Sequence, residues 1–264
     1  MGVLRRARDF AYWRGKRAAG HARELRENLR ARRRMRHFEP LDRSVFYPSY
    51  KSMDELIDVD RLRSLDAVLC EQVTAFLAGG QAQAFDTGTL KKGLWKRRRP
   101  GSRVIELTST DRPFRYFDLD EHELWKPTPH AERFPELTDF IATLPFRTTS
   151  RIVILCDERG RAVTTHRDHY RASVLHEFLW FRTNLAKPFF VTDRRFQKRL
   201  YLTSHSAWFD TVNQFHGSDP ADTLTISIRV DGAFTDAFRA RIPRPPINPA
   251  STPSFWACQE QPHG

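Results

Sequence analysis

The sequence predicts a mainly β protein with flanking helices, an α+β chain. Three observations predict it. The run LTISIRV alternates cleanly, with Leu224, Ile226, Ile228 and Val230 on one side and Thr225, Ser227 and Arg229 on the other. That is the pattern of a strand that packs outward with one face and lines a polar cavity with the other. RVIELTS and FRYFDL alternate as shorter strands. Helical spacing appears outside these runs, at Leu62, Leu65, Val68, Leu69 and Val73. A chain of 264 residues suits one large domain, since an all-β barrel of this length is ordinarily a single unit.

In chain order, residues 1–38 form a basic helical arm. Residues 1–37 hold 13 Arg and Lys against three acids, so most of the net charge of +12 sits there and the body is close to neutral. A basic arm on a neutral body suggests a tether rather than a nucleic-acid-binding surface. Three readings of the arm stay open: a solvated helix or tail, an anionic membrane surface met by Phe10, Tyr12 and Trp13 amid arginines, and nucleic-acid contact. Asp9, Glu24 and Glu27 disfavour a transit peptide.

Residues 39–242 form the main domain. Ser52 and Glu55 predict a capping box opening a short helix at 53–58, and Asp60 a cap for a longer one ending at Gly79-Gly80. Leu62, Leu65, Val68, Leu69 and Val73 place the longer helix against the outside of the barrel. Residues 81–102 read as a loop, with LKKGLWKRRRPGSR carrying seven basic residues around Trp95. It is either a solvated turn or a rim that attracts an anionic substrate, with Trp95 as a stacking surface. A helix over Glu136–Thr143 ends at Pro145, and AFTDAFRARI predicts another short one. Residues 243–264 contain six prolines and read as an irregular strap or disordered end, with Phe255 and Trp256 able to pin it.

Composition excludes several classes. Hydrophobic residues at 40% and charged residues at 29% fit a soluble globular chain. No apolar run approaches the ~20 residues of a membrane span, and no apolar segment of secretory type follows the first arginines. Cys70, Cys156 and Cys258 are widely spaced with no CxxC. That excludes a zinc ribbon and points to a reducing, cytoplasmic compartment, peripheral to a membrane if the arm engages one.

The chemistry concentrates between Thr164 and Asp231. His166 and Asp168 are two apart, and His216 and Arg229 follow. Two imidazoles and a carboxylate on one face of a divalent metal leave positions open opposite, the arrangement suited to non-haem Fe(II). In an extended segment residues 166 and 168 point the same way and can share an ion. Rivals stay open at this stage. Lone histidines are commonly structural, and His205, His169 and His176 compete with His216. Arg229 could be a solvated strand residue. His166-Arg167-Asp168 also spells the kinase catalytic tripeptide, but neither a glycine-rich phosphate loop nor Asp-Phe-Gly accompanies it.

Several successive pieces resemble the Fe(II)- and 2-oxoglutarate-dependent oxygenases, nearest to the aspartyl/asparaginyl-hydroxylase-like and free-amino-acid-hydroxylase-like branch. They are LPFRTTSRIVILCDERGRAVTTHRD, EFLWFRTNLAKPFFVTD, KRLYLTSHSAWFDTVNQFHG and TISIRVDG, covering roughly residues 140 to 235. Two departures stand out. Glu158-Arg159-Gly160 replaces the family's frequent Pro-Gly turn, and His176 and Phe178 stand where many members carry Arg-x-His.

The resemblance implies a double-stranded β-helix (jelly-roll, cupin-like) core. It implies Fe(II) on His166, Asp168 and His216, and 2-oxoglutarate paired with Arg229 beside Ser227, with His176 and Arg182 as candidates for a second contact. O2 is the co-reactant, and the reaction is a hydroxylation releasing succinate and CO2. Basic residues near the barrel mouth hint at an anionic or carboxylate-bearing substrate, a small molecule, lipid-linked or peptidyl, with Trp95, Arg167 and Trp208 as candidate contacts. The rival of a different class is a non-catalytic jelly-roll module whose arm binds nucleic acid, membrane or protein.

Overall fold

The structure is a computed structural model that describes residues 48–80, 83–84, 102–111, 122–166, 168, 177–192, 198–209, 211, 214–241 and 256–258. The arm, Trp95, Arg167, His176 and the expected strand FRYFDL lie outside the described residues. The described strands are β1 (Ser49–Ser52), β2 (Gln83–Ala84), β3 (Ser102–Glu106), β4 (Thr108–Ser109), β5 (Lys126–Pro127), β6 (Phe146–Asp157) and β7 (Val163–His166). They continue with β8 (Phe178–Phe181), β9 (Phe189–Thr192), β10 (Arg199–Tyr201), β11 (Ser206–Trp208), β12 (Phe215–Ser218), β13 (Thr225–Phe234) and β14 (Trp256–Cys258). The helices are α1 (Val59–Ser64), α2 (Asp66–Ala78), α3 (Pro135–Ala142) and α4 (Asp236–Arg241). The chain is thus mostly β with few helices among the described residues.

Pairing is antiparallel throughout the described strands. A large sheet runs β14-β1-β11-β8-β13-β6-β3-β2, a smaller one β10-β9-β12-β7, and β4 pairs with β5. From β6 to β13 successive strands alternate between the two larger sheets, apart from the β9–β10 hairpin. The sheets meet through side chains: Trp180 of β8 stacks on Phe189 of β9 at 4.7 Å. The turn from β6 to β7 uses Gly160 at φ 71, a left-handed position that glycine adopts without Cβ strain. Its N–H also bonds Ala221 O at 2.8 Å.

Two-residue periodicity explains β13. Ile226, Ile228 and Val230 join one core with Leu62, Leu69, Val73 and Phe76 of the first two helices and Leu137, Phe140 and Ile141 of α3. Phe140 meets Phe181 of β8 edge-on at 5.6 Å. The apolar face therefore packs against a helical layer. The other face carries Ser227, Arg229 and Asp231, all buried.

Several local expectations change. Asp58, not Asp60, caps the first long helix, accepting Arg61 N at 2.9 Å. Asp60 instead lies in the first turn, where a carboxylate complements the helix dipole. The helix breaks at Leu65, beside Ser64, whose hydroxyl bonds Arg61 O at 2.7 Å. The predicted capping-box helix is a 3-10 turn, Asp54–Leu56. The carboxylate of Asp54 is taken by His205 N, Ser206 N and Ser206 Oγ, at 2.7 to 2.9 Å. Residues 256–258 are not an irregular strap but a strand on β1.

The Thr183-Asn184 turn holds the helical layer. Thr183 Oγ1 and Asn184 Nδ2 both donate to Asp66 Oδ1, in the first turn of α2, at 2.5 and 2.7 Å. Asn184 Oδ1 accepts Ala186 N at 3.0 Å, closing the turn on itself.

Lys51 of β1 is 2% exposed, with Nζ 5.5 Å from the Trp208 ring centroid. Burial pushes its ammonium down to about 7 from 10.5. Below that value the folded state carries a desolvated charge, and the penalty disappears as pH rises from about 7 towards the unfolded value. The stability of Lys51→Met relative to the native chain is therefore expected to rise as pH falls from about 10 to about 7, as read by paired denaturant melts across that range.

Candidate metal centre

The site is built from two neighbouring strands and one bend. His166 is the last residue of β7, and β12 pairs with β7 so that His216 lies directly across from it. Cross-strand partners project to the same face, and the rings stand 4.5 Å apart. Asp168 joins them differently from the sequence expectation. The strand ends at His166, and Asp168 occupies a bend pinned by its own N–H to Thr211 O at 2.8 Å. Strand parity is thus not what unites residues 166 and 168.

The three donors converge. Asp168 Oδ1 lies 3.6 Å from His166 Nε2 and 3.7 Å from His216 Nε2, and all three ligand atoms fall within 4.8 Å of one another. Metal bonds of about 2.1 Å to each donor fit between atoms so spaced. Both histidines use their other nitrogen on a backbone carbonyl: His166 Nδ1 on Thr164 O at 2.7 Å, and His216 Nδ1 on Gln214 O at 3.2 Å. An Nδ1–H donor leaves Nε2 with its lone pair turned to the centre, the support typical of metal-bound imidazoles.

Electrostatics agree. Burial pushes His216 down to about 3, so it is the neutral imidazole a metal requires. Burial acts to raise Asp168, but His216, Arg229, His166 and Arg151 together hold its carboxyl well below the usual range, and it is ionised. The residues present therefore fit a divalent cation in both geometry and charge.

Around the triad lies a second set that sequence reasoning missed. Asp231 takes Arg229 Nε and Nη2, and also Arg151 Nε at 3.0 Å. Position 231 shares the inward parity of 227 and 229, so alternation could have flagged it; Arg151 is found only once the β6–β13 register is known. Phe209 and Phe189 approach the His216 ring at 5.3 and 5.9 Å, and Phe178 packs on Phe209 at 5.6 Å. Deeper along the same wall Lys187 Nζ pairs with Asp157 Oδ2 at 2.5 Å and reaches Ser227 Oγ at 3.3 Å, all buried. Lys187 precedes a strand, where no periodic signal marks it.

Other expected contacts have partners within the protein. Arg182 is buried, and its guanidinium donates to the carbonyls of Lys187, Leu202 and Ser204. Trp208 pairs with Lys51 on β1 and packs 6.3 Å from Phe178; it is the next residue, Phe209, that reaches His216. His205 Nδ1 donates to the Arg182 carbonyl oxygen at 3.1 Å, and His205 lines a concavity of about 610 Å³ that shares no residue with the triad.

Gly217 controls how closely the histidine strands approach. A Cβ there would lie 2.7 Å from Val163 O and 3.2 Å from Phe190 Cζ. Gly217→Ala is expected to lower stability by about 1–3 kcal/mol and to weaken divalent-metal binding by spreading β12 from β7. Thermal melting and Mn(II) titration check the two effects separately.

No protein-family profile and no curated protein matches the chain. Among solved structures it is similar to a Trichoplax adhaerens prolyl hydroxylase in complex with a hypoxia inducible factor oxygen degradation domain peptide fragment. That match has 11% identity and TM-score 0.41, covering 76% of this chain and 88% of that one. It is also similar to a Pseudomonas putida prolyl-4-hydroxylase, at 9% identity and TM-score 0.38, covering 72% and 92%. A third is an oxidoreductase of the 2OG-Fe(II) oxygenase family from Burkholderia pseudomallei, at 12% identity and TM-score 0.33, covering 51% and 72%. Likeness this slight leaves function to be argued from the site.

Proposed function

We propose that the chain is an Fe(II)- and 2-oxoglutarate-dependent dioxygenase that hydroxylates an unactivated C–H bond of an anionic or carboxylate-bearing substrate. The observation that carries this reading is the convergence of His166 Nε2, His216 Nε2 and Asp168 Oδ1. Two neutral nitrogens and one carboxylate on one side of a metal are the donor set of non-haem Fe(II) oxygenases. The alternation of β6 to β13 between two sheets supports a double-stranded β-helix core.

When bound, Fe(II) with 2-oxoglutarate and O2 supplies an oxidant able to cleave such a bond, with succinate and CO2 as co-products. The protein's part is to hold and shield. His166, His216 and Asp168 hold the metal. Phe178, Phe189 and Phe209 form an apolar wall beside His216 that keeps water from the reacting side. The inward wall offers two buried cations for the far carboxylate of 2-oxoglutarate: Arg229, as read from sequence, and Lys187 beside Ser227. Arg182 is the weaker choice because carbonyls already engage it. His176, Arg167 and Trp95 remain in the proposal as contacts from segments outside the described residues.

Substrate is proposed from charge alone: a small molecule, a lipid-linked group or a peptidyl side chain bearing an acid. The basic arm is proposed to meet an anionic membrane surface. Among the described residues no helix is long and apolar enough to cross a membrane. The thiols Cys70 and Cys156 are unpaired, which suits a reducing compartment.

Anaerobic addition of Fe(II) and then 2-oxoglutarate should produce a weak visible charge-transfer band. His166→Ala and His216→Ala should each abolish it while the variants stay folded. A folded native chain without the band would sink the oxygenase reading and leave a metal-free binding module.

A further inference from the structure

Arg229 lies against the triad and commits each of its three nitrogens to a protein carboxylate, so it is more than a simple anchor for a ligand. Its Nη1 donates to Asp168 Oδ2 at 2.9 Å. The other oxygen of that carboxylate, Oδ1, is the one facing both imidazoles, at 3.6 and 3.7 Å. The opposite edge of the guanidinium is closed by Asp231, with Nε to Oδ1 at 2.9 Å and Nη2 to Oδ1 at 2.7 Å. Arg151 holds Asp231 in turn, through Oδ2 at 3.0 Å. One face of the guanidinium is covered by the Phe178 ring, 4.2 Å from Cζ to centroid. Each of the three nitrogens thus points at a protein carboxylate.

We propose that Arg229 is the positioning residue of the metal centre. It captures Asp168 Oδ2 so that the carboxylate offers the metal one oxygen instead of two, and Asp231 with Arg151 sets the angle of the fork. The inference rests on the oxygenase reading of the triad and specifies how its acid works.

The chemistry favours this role. An aspartate can bind a cation through either or both oxygens, and it sits here in a bend, not on a strand. A planar guanidinium with fixed donors selects one oxygen, which a flexible ammonium does less well. One-oxygen ligation leaves an additional coordination position for incoming ligands. A ligand carboxylate arriving at Arg229 would have to share a guanidinium that already spends three of its five N–H donors on Asp231 and Asp168. Lys187, the other inward cation among the described residues, pairs with Asp157 and sits beside Ser227, two residues or about 7 Å further along β13.

Removing a nearby positive charge should by itself tighten cation binding, since the Coulomb repulsion falls. Loss of a positioning residue should do the reverse. Mn(II) affinity, followed without 2-oxoglutarate by the spin-resonance signal of free Mn(II), separates the two.

Arg229→Met is expected to weaken Mn(II) binding about 10- to 100-fold, and Arg229→Lys to recover part of the loss. Asp231→Asn, which frees the rear of the fork, should weaken binding in the same direction and serves if Arg229→Met does not fold. At saturating Mn(II), 2-oxoglutarate affinity by tryptophan quenching should fall in Lys187→Met.

Native or tighter Mn(II) binding in folded Arg229→Met, or in Asp231→Asn should that variant not fold, overturns the proposal. If 2-oxoglutarate affinity is also lost, Arg229 is the ligand anchor. A native chain that binds no Mn(II) instead fails at the triad itself, which is a different result from either.

Discussion

The register between β7 and β12 is the constraint on which the site depends. It sets His216 across from His166 on the inward face of the smaller sheet. A shift of one residue would turn one ring outward. Gly217 allows that pairing to be close, and the bulge between His216 and Ser218 accommodates the end of β7. Asp168 then needs only a short bend, fixed by Thr211, to complete the set.

The larger sheet contributes charge rather than ligands. Asp168, Arg229, Asp231 and Arg151 form a chain of alternating sign from the bend of one sheet to β13 and β6 of the other. Burying so many charges is tolerable because each acid faces a guanidinium and each hydrogen bond is charge-assisted. The same chain ties the two sheets at the point where they would otherwise be held mainly by Phe178, Trp180, Phe189 and Phe209.

Much of this was legible in the residues. The alternation of LTISIRV gave both faces of β13 correctly, because a two-residue period survives any tertiary context that buries one side. The helix read over residues 136–143 is Pro135–Ala142, since the proline at 145 that stops it is a local signal. The triad was legible as residue types but not as geometry. Parity suggested why 166 and 168 should cooperate, whereas a bend unites them. Arg229 was legible as inward-facing, but its partners depended on Asp231 and on a register that no local pattern encodes. Lys187 was read only as one of the basic residues near the mouth, and its pairing with Asp157 was invisible for the same reason: they meet through the fold, 30 residues apart. The cap of the first helix was misplaced by two residues because Asp58 and Asp60 are equally good caps on paper.

The large sheet ends in very short strands, β14 of three residues on one side and β2 of two on the other. β14 comes from a segment remote in sequence from β1, which it flanks, whereas β2 directly precedes its partner β3. Short flanks expose few unpaired backbone groups to a passing chain. Among the described residues, the edges of a sheet eight strands wide therefore offer a passing chain little backbone to pair with.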